Sequence, residues 1–127
     1  MEKMLFVHGW FLQEGMRINL NPDNGLPLAY EGAGLYTFHG VFCPMTDSSF
    51  IGHVDDVCGH AEIRNGRFEN GVLTFEKLYT RRTDVINYRF AQDGASPVFT
   101  GSYDGTAVGK GSARIYIIDP PENFFVQ

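Results

Sequence analysis

The sequence predicts an all-β protein, a single up-and-down antiparallel β-barrel of about eight or nine strands. Three observations support this. Apolar and polar residues alternate with period two in segment after segment, turn-forming residues separate these segments, and no window of eleven residues free of Gly and Pro has helical spacing. With 127 residues, 43% of them hydrophobic and 14% aromatic, the chain has enough apolar surface to fold as one domain, 1–127, which excludes a disordered protein.

The strands follow from the alternation and from the turns between them. Alternation is clearest at 73–79, 86–90 and 113–117, and turn sequences such as Asn70-Gly71 and Asp104-Gly105 interrupt it. Because most connections are short, neighbouring strands should pair antiparallel as a meander. The predicted strands are 4–12, 15–20, 34–42, 49–54, 59–68, 71–80, 84–91, 97–104 and 110–118.

An internal repeat favours closure of the sheet. Residues 50–55, Phe-Ile-Gly-His-Val-Asp, are echoed at 99–104 by Phe-Thr-Gly-Ser-Tyr-Asp, and a Gly-x-Ala-x-Ile strand follows each copy at 59–63 and 111–115. A glycine recurring at one strand register indicates a bend or a close approach of backbones, which barrel corners require. Closure also removes the open edges of a long meander. An open sandwich without an internal cavity is the alternative.

The repeat and the alternation predict which residues face inward. Asn65-Gly66 interrupts one strand as a bulge would, which returns Phe68 to the inner face. The segment 4–12 is apolar on both faces, so its orientation is left open. The expected inner residues are Tyr36, Phe38, Gly40, Phe42, Phe50, Gly52, Ala61, Ile63, Phe68, Leu73, Phe75, Lys77, Tyr79, Ile86, Tyr88, Phe90, Phe99, Gly101, Tyr103, Ala113, Ile115 and Ile117.

Lys77 is the exception in this apolar inner surface, and it marks the predicted ligand site. Burial lowers the pKa of a lysine, and neighbouring phenol hydroxyls would hydrogen-bond it. Such a group orients a carboxylate or carbonyl on an apolar ligand. Two alternatives are that Lys77 lies at a barrel end and extends to water, and that side chains fill the interior. The predicted ligand-binding residues are Lys77, Tyr79, Tyr88, Tyr103, Phe75, Phe38, Tyr36 and Trp10.

The segment 52–60 offers two imidazoles, two carboxylates and the Cys58 thiol, donors that suit a zinc-like ion. The same residues also suit a tight turn, and the second copy of the repeat has no His or Cys at these positions. We therefore predict a turn, and we expect no metal, no cofactor and no catalytic residue. Cys43 and Cys58 are expected to be reduced thiols, with a bridge between them as the alternative.

The order FxG, GxAxI, LTFxKxY, IxYxF, FxG, GxAxI over residues 34–118 resembles a calycin-type barrel, the grouping of lipocalins, fatty-acid-binding proteins, avidins and nitrobindin-like proteins. The resemblance implies a barrel with an interior ligand. Lipocalins have Gly-x-Trp near the start, whereas Gly9 and Trp10 are adjacent here, and no His follows His60 where nitrobindin-like proteins ligate haem. No functional residue is therefore carried over.

Charge and length limit the partners. The net charge of −5 without a basic stripe argues against binding to nucleic acid or to a membrane surface, and no apolar run approaches the ~20 residues of a spanning helix. Without a recognisable export signal, we expect a cytoplasmic protein.

The predicted function is binding of a small apolar ligand with one polar group. The alternatives are a structural homodimer without ligand, with the tail 119–127 packing on the barrel or on a partner, and a small enzyme that uses the barrel pocket.

Overall fold

The structure, a computed structural model, describes residues 4–13, 23, 35–45, 47–94 and 96–118. The predicted strand 15–20 and the tail 119–127 lie outside the described residues. Within them, no helix is long and apolar enough to cross a membrane. The strands of this part are β1 (Leu5–Gln13), β2 (Leu35–Pro44), β3 (Ser49–Asp56), β4 (Gly59–Glu69), β5 (Val72–Tyr79), β6 (Val85–Gln92), β7 (Val98–Gly105) and β8 (Gly109–Ile118).

These strands form one closed barrel in sequence order. Each strand pairs antiparallel with the next, and β1 pairs antiparallel with β8, with Phe6 opposite Ile118 and Gln13 opposite Gly111. The all-β, up-and-down barrel predicted from the sequence is confirmed, and the open sandwich is wrong. Closure leaves the barrel without a free sheet edge, as a long meander requires.

The inner face of the barrel follows the period-two pattern. Nearly all of the predicted inner residues are buried, from Phe38 on β2 to Ile117 on β8. For β1, whose faces were indistinguishable in the sequence, Leu5, Val7 and Phe11 belong to the core cluster. Trp10 is on the other face of β1, yet only 5% of it is exposed. The inner surface is thus fixed by side-chain alternation on every strand.

The repeated glycines lie where strands approach closely. A β-carbon at Gly101 would overlap the Arg89 carbonyl oxygen and lie 2.6 Å from the Phe90 Cα. A β-carbon at Gly52 would overlap the Val41 carbonyl oxygen in the same way. These contacts are with the backbone of the neighbouring strand and cannot be relieved by a rotamer change. They confirm the close approach that the repeat predicted.

The β-bulge predicted at Asn65-Gly66 is also present. The β4–β5 register shifts between Arg64 and Arg67, and Asn65 has a positive φ of 54°. Within the bulge, Gly66 packs against the Phe50 ring, and beyond it Phe68 is buried. The extra residue therefore restores the inward alternation that a straight strand would have lost.

The two ends of the barrel have different interiors. At one end, here called the phenylalanine end, the rings of Phe42 and Phe50 stack 4.6 Å apart, and Phe75 lies 5.4 Å from Phe42 and 5.8 Å from Phe90. These separations are those of well-packed aromatic pairs. The other end, here called the mouth, is bounded in the described part of the chain by the loops β3–β4, β5–β6 and β7–β8, and its interior contains polar side chains.

Candidate functional site

A buried carboxylate organises the mouth. Asp56 Oδ2 accepts hydrogen bonds from Lys77 Nζ at 2.7 Å and from the Tyr79 hydroxyl at 2.6 Å, while Oδ1 accepts the Cys58 backbone N–H at 2.7 Å. The side chains of Asp56 and Lys77 are 0% and 2% exposed. Both oxygens of the carboxylate are thus satisfied, as a buried ion pair requires. The structure contradicts the alternative in which Lys77 extends into water.

The strand register explains why these groups meet. Asp56 is the last residue of β3 and faces inward because it lies two positions after the buried Val54. Lys77 and Tyr79 lie on β5, with β4 between them and β3. The inward β4 residues at this level are small, since Asp56 is opposite Gly59 and Tyr79 is opposite Ala61. Long side chains from β3 and β5 therefore meet across β4.

Aromatic rings surround the Lys77 ammonium. Its Nζ lies 4.5 Å from the centre of the Phe11 ring, 4.8 Å from that of Tyr79, 5.4 Å from that of Phe38 and 5.7 Å from that of Tyr88. All four distances are within the range of cation–π attraction, which strengthens when water is excluded. The ammonium is thus stabilised by one carboxylate and by the faces of several rings.

Burial shifts the protonation equilibria of this cluster. It lowers the pKa of Lys77, and the attraction of Asp56 offsets part of that shift. Burial raises the pKa of Tyr79, and its hydrogen bond to Asp56 raises it further. The pKa of Tyr88 is raised well above its usual range, mainly by burial. The phenols of Tyr79 and Tyr88 therefore stay protonated across the physiological pH range, and the Tyr79 hydroxyl donates to Asp56.

A cavity of about 220 Å³ opens above this ion pair. Arg82, on the β5–β6 loop, has its guanidinium 5.1 Å from the centre of the Tyr79 ring at the rim of the cavity. The walls are mostly aromatic and aliphatic, with a few polar groups at the rim. Among the described residues, those that line it are Phe11, Gln13, Tyr36, Cys58, Tyr79, Arg82, Ile86, Tyr88, Tyr103 and Val108.

Three phenol hydroxyls along this cavity have no hydrogen-bond partner within the described part of the chain. Among the hydrogen bonds of the described residues, none involves the hydroxyl of Tyr36, Tyr88 or Tyr103. Tyr36 stacks on Phe11 at 5.0 Å, and Tyr103 contacts the same ring edge-on at 5.6 Å. The packing thus holds the rings in place while their hydroxyls keep unused donor capacity.

The structure brings together most of the sequence-predicted ligand residues. Lys77, Tyr79, Tyr88, Tyr103, Tyr36 and Phe38 all surround the mouth. Phe75 lies between the mouth and the phenylalanine end of the barrel. Its ring stacks on Tyr88 at 5.0 Å on one side and packs on Phe42 on the other. Trp10 points to the outer face of β1, away from the other predicted residues, because its neighbour Phe11 occupies the inner position.

Several mouth residues were not among the predicted ligand residues: Asp56, Phe11, Arg82, Gln13, Cys58, Ile86 and Val108. The sequence does predict that Asp56 faces inward, because it lies two positions after the inward Val54 on the same strand. Phe11 lies on β1, which is apolar on both faces, so alternation does not tell which face is inside. Arg82 lies on a loop, where alternation does not predict the direction of a side chain. Cys43 and Cys58 are both free thiols, so the bridge between them is absent from the structure.

The fold and the site together define a closed antiparallel β-barrel with an aromatic pocket over a buried ion pair. Comparison of the sequence and the structure with family models, curated proteins and solved structures finds no match. The functional conclusion therefore depends on the geometry of the mouth.

Proposed function

We propose that this protein is a cytoplasmic, calycin-like barrel that binds a small organic molecule in its mouth. The ligand has a flat apolar body and one polar end that accepts hydrogen bonds. The observation that carries the proposal is the cavity of about 220 Å³ above the Lys77–Asp56 pair. Pockets of this kind, apolar with a few placed polar groups, are typical of small-molecule sites.

The dimensions and chemistry of the pocket limit the ligand. Its volume is below the roughly 300–1,000 Å³ of drug-sized pockets, which favours a molecule of one or two rings. The stacked rings of Phe11 and Tyr36 suit a planar body. Because Asp56 already neutralises Lys77, a ligand carboxylate would be attracted to Arg82 at the rim and would accept hydrogen bonds from the free phenols.

Native mass spectrometry of the protein purified from its source tests this proposal. Val108 lines the cavity and is partly buried, so Val108→Trp should fill the space with an indole. The matched control is Thr100→Trp, on the exposed face of β7. Wild type and control should retain a small-molecule mass that Val108→Trp lacks. If the wild type carries no such mass, or if Val108→Trp carries it equally, the proposal is wrong.

One observation favours a second candidate, a homodimer formed through the outer face. Phe6 is 57% exposed and pairs across the closing strands with Ile118, which is 38% exposed. Val41 is opposite Phe6 on β2, and Ile51, 47% exposed, continues the apolar surface on β3. Exposed apolar patches of this kind mark interaction surfaces, and the same patch on two copies is self-complementary.

Sedimentation velocity tests this candidate. The wild type should sediment as a dimer, and Phe6→Ser should shift it to the monomer. Val57→Ser is the control, since Val57 is 81% exposed but lies in the β3–β4 loop at the mouth. A monomeric wild type across micromolar concentrations would exclude the dimer and leave the proposed ligand site unaffected.

A further inference from the structure

The outer face of the barrel carries the histidines of this protein. The chain has four. His8 on β1 is opposite His39 on β2, His39 is opposite Asp55 on β3, and Asp55 is opposite His60 on β4. His53, two positions before Asp55, shares its face. The sheet thus aligns imidazoles and one carboxylate in a row across β1 to β4.

Three of these side chains converge at the end of the row. The ligand atoms that His53, Asp55 and His60 offer all lie within 4.8 Å of one another. The two imidazole rings have centres 5.3 Å apart, and His60 Nδ1 lies 2.8 Å from Asp55 Oδ1. His53 and His60 are exposed and Asp55 is half-buried, so an ion reaches them directly from solvent.

We propose that His53, Asp55 and His60 bind a divalent transition-metal ion of the zinc type on the outer face of the barrel. Two imidazole nitrogens and one carboxylate oxygen form a donor set that zinc uses in proteins, with water completing the tetrahedron. Bond lengths of about 2.0–2.2 Å place such ligand atoms roughly 3.4 Å apart. The ligand atoms lie within 4.8 Å of one another, so small rotations of the exposed side chains would bring them to this separation.

The turn that follows these residues does not need them. Its backbone N–H at Cys58 is satisfied by Asp56, whose side chain faces the barrel interior. Asp55 faces outward, with His60 opposite it on β4. The second copy of the repeat has the same arrangement of strands but carries Ser102 at the position of His53, and Asp104 is opposite Lys110. The second hairpin therefore forms without histidines at these positions, with a connection, 106–108, that is one residue longer than 57–58.

Rigidity favours metal binding at this position. All three residues lie on the hydrogen-bonded strands β3 and β4, so their Cα positions are fixed before the ion arrives. A site on strands has a lower ordering cost than one assembled from a loop.

Isothermal titration with Zn²⁺, and absorption spectra with Co²⁺, test the proposal on the full chain. The wild type should bind one ion and show the visible bands of tetrahedral Co²⁺. His53→Gln and His60→Gln should each weaken Zn²⁺ binding about tenfold or more, because each removes one of three ligands. These exposed positions on paired strands tolerate glutamine, and thermal unfolding of each variant verifies the fold.

His8→Gln is the matched control, because it removes a histidine of the same row outside the converging set. Its Zn²⁺ affinity should equal that of the wild type. Equal losses in all three variants would indicate nonspecific imidazole binding and overturn the proposal. A wild type that fails to bind Zn²⁺ at tens of micromolar would overturn it as well.

Discussion

The two ends of this barrel use aromatic residues in opposite ways. At the phenylalanine end, rings such as Phe42, Phe50 and Phe90 pack against one another. At the mouth, Tyr36, Tyr88 and Tyr103 surround a cavity, and the buried Lys77–Asp56 pair lies below it. The strands and their spacing are common to both ends. Among the described residues, the two ends thus differ in side-chain polarity within one barrel geometry, with packed rings at one end and a cavity at the other.

A substitution in the mouth should also lower the free energy of unfolding more than a substitution at the phenylalanine end. A buried ion pair contributes little relative to apolar packing, but removing one partner leaves the other charged and desolvated. A phenylalanine core loses only transfer and packing energy when it is trimmed. Substitutions at the two ends should therefore differ in how much stability they remove.

Asp56→Ala should lower the free energy of unfolding by about 5 kcal/mol, the upper end for a broken buried pair. Lys77 then lacks its counter-ion, and Tyr79 and the Cys58 N–H lose their acceptor. Urea unfolding measures the loss. The control is Asp55→Ala at the next position, where the exposed pair with His60 should contribute less than about 1 kcal/mol. Equal losses in the two variants would contradict a special role for the mouth carboxylate.

Phe42→Leu at the phenylalanine end should cost about 1–2 kcal/mol, because the Phe42 side chain is 1% exposed and a smaller group leaves a partial void. The same urea titration gives the value. Ligand occupancy by native mass spectrometry should stay at the wild-type level, since Phe42 does not line the mouth. Lost occupancy in a folded Phe42→Leu protein would show that the two ends are coupled.

Stability should decline above about pH 10. The tyrosine pKa values are raised by folding, so the unfolded chain releases protons there that the folded state holds, and the free energy of unfolding falls. Lys77 has the opposite effect, because its pKa is lowered by folding and the unfolded chain holds the extra proton. Its contribution makes stability rise with pH only until about 10.4, where the unfolded lysine also deprotonates.

Tyr88→Phe isolates this effect. It should reduce the alkaline decline by up to about 1.4 kcal/mol per pH unit, the limit for one group. Urea unfolding at pH 9, 10 and 11 gives the slopes for both proteins. Identical slopes would mean that the Tyr88 hydroxyl titrates alike in the folded and unfolded chains.

Gly71→Ala should have the smallest effect, about 1 kcal/mol. Asn70 and Gly71 both have positive φ, 53° and 77°, in the tight β4–β5 turn at the phenylalanine end. Alanine is strained in this conformation although space for its β-carbon is available. Thermal unfolding detects the change as a drop of a few degrees in Tm. An unchanged Tm would indicate that the turn adapts.

The fold was predictable because alternation and turns are local signals. The inner residues, the bulge at Asn65 and the close approach at Gly101 all follow from a period of two and from glycine chemistry. Lys77 stood out because a charge interrupted an apolar face. The face of β1 was not predictable, because Trp10 is buried on the outer side while Phe11 is buried on the inner side.

The partner of Lys77 was harder to predict for a different reason. Asp56 lies 21 positions away, and a whole strand separates it from β5. Their contact requires the register of two pairings and the small size of the β4 residues between them. The convergence of His53 with His60 likewise depends on register, since a hairpin shifted by one residue would direct one of them inward.

The seam between β1 and β8 has a consequence for folding kinetics. It joins Phe6 to Ile118, nearly the full length of the chain, whereas hairpins such as β4–β5 join residues a few positions apart. The entropy of closing a loop grows with its length, and non-local pairings slow folding. Hairpins therefore form early, and the barrel interior, including the mouth, becomes complete only when the first and last strands meet.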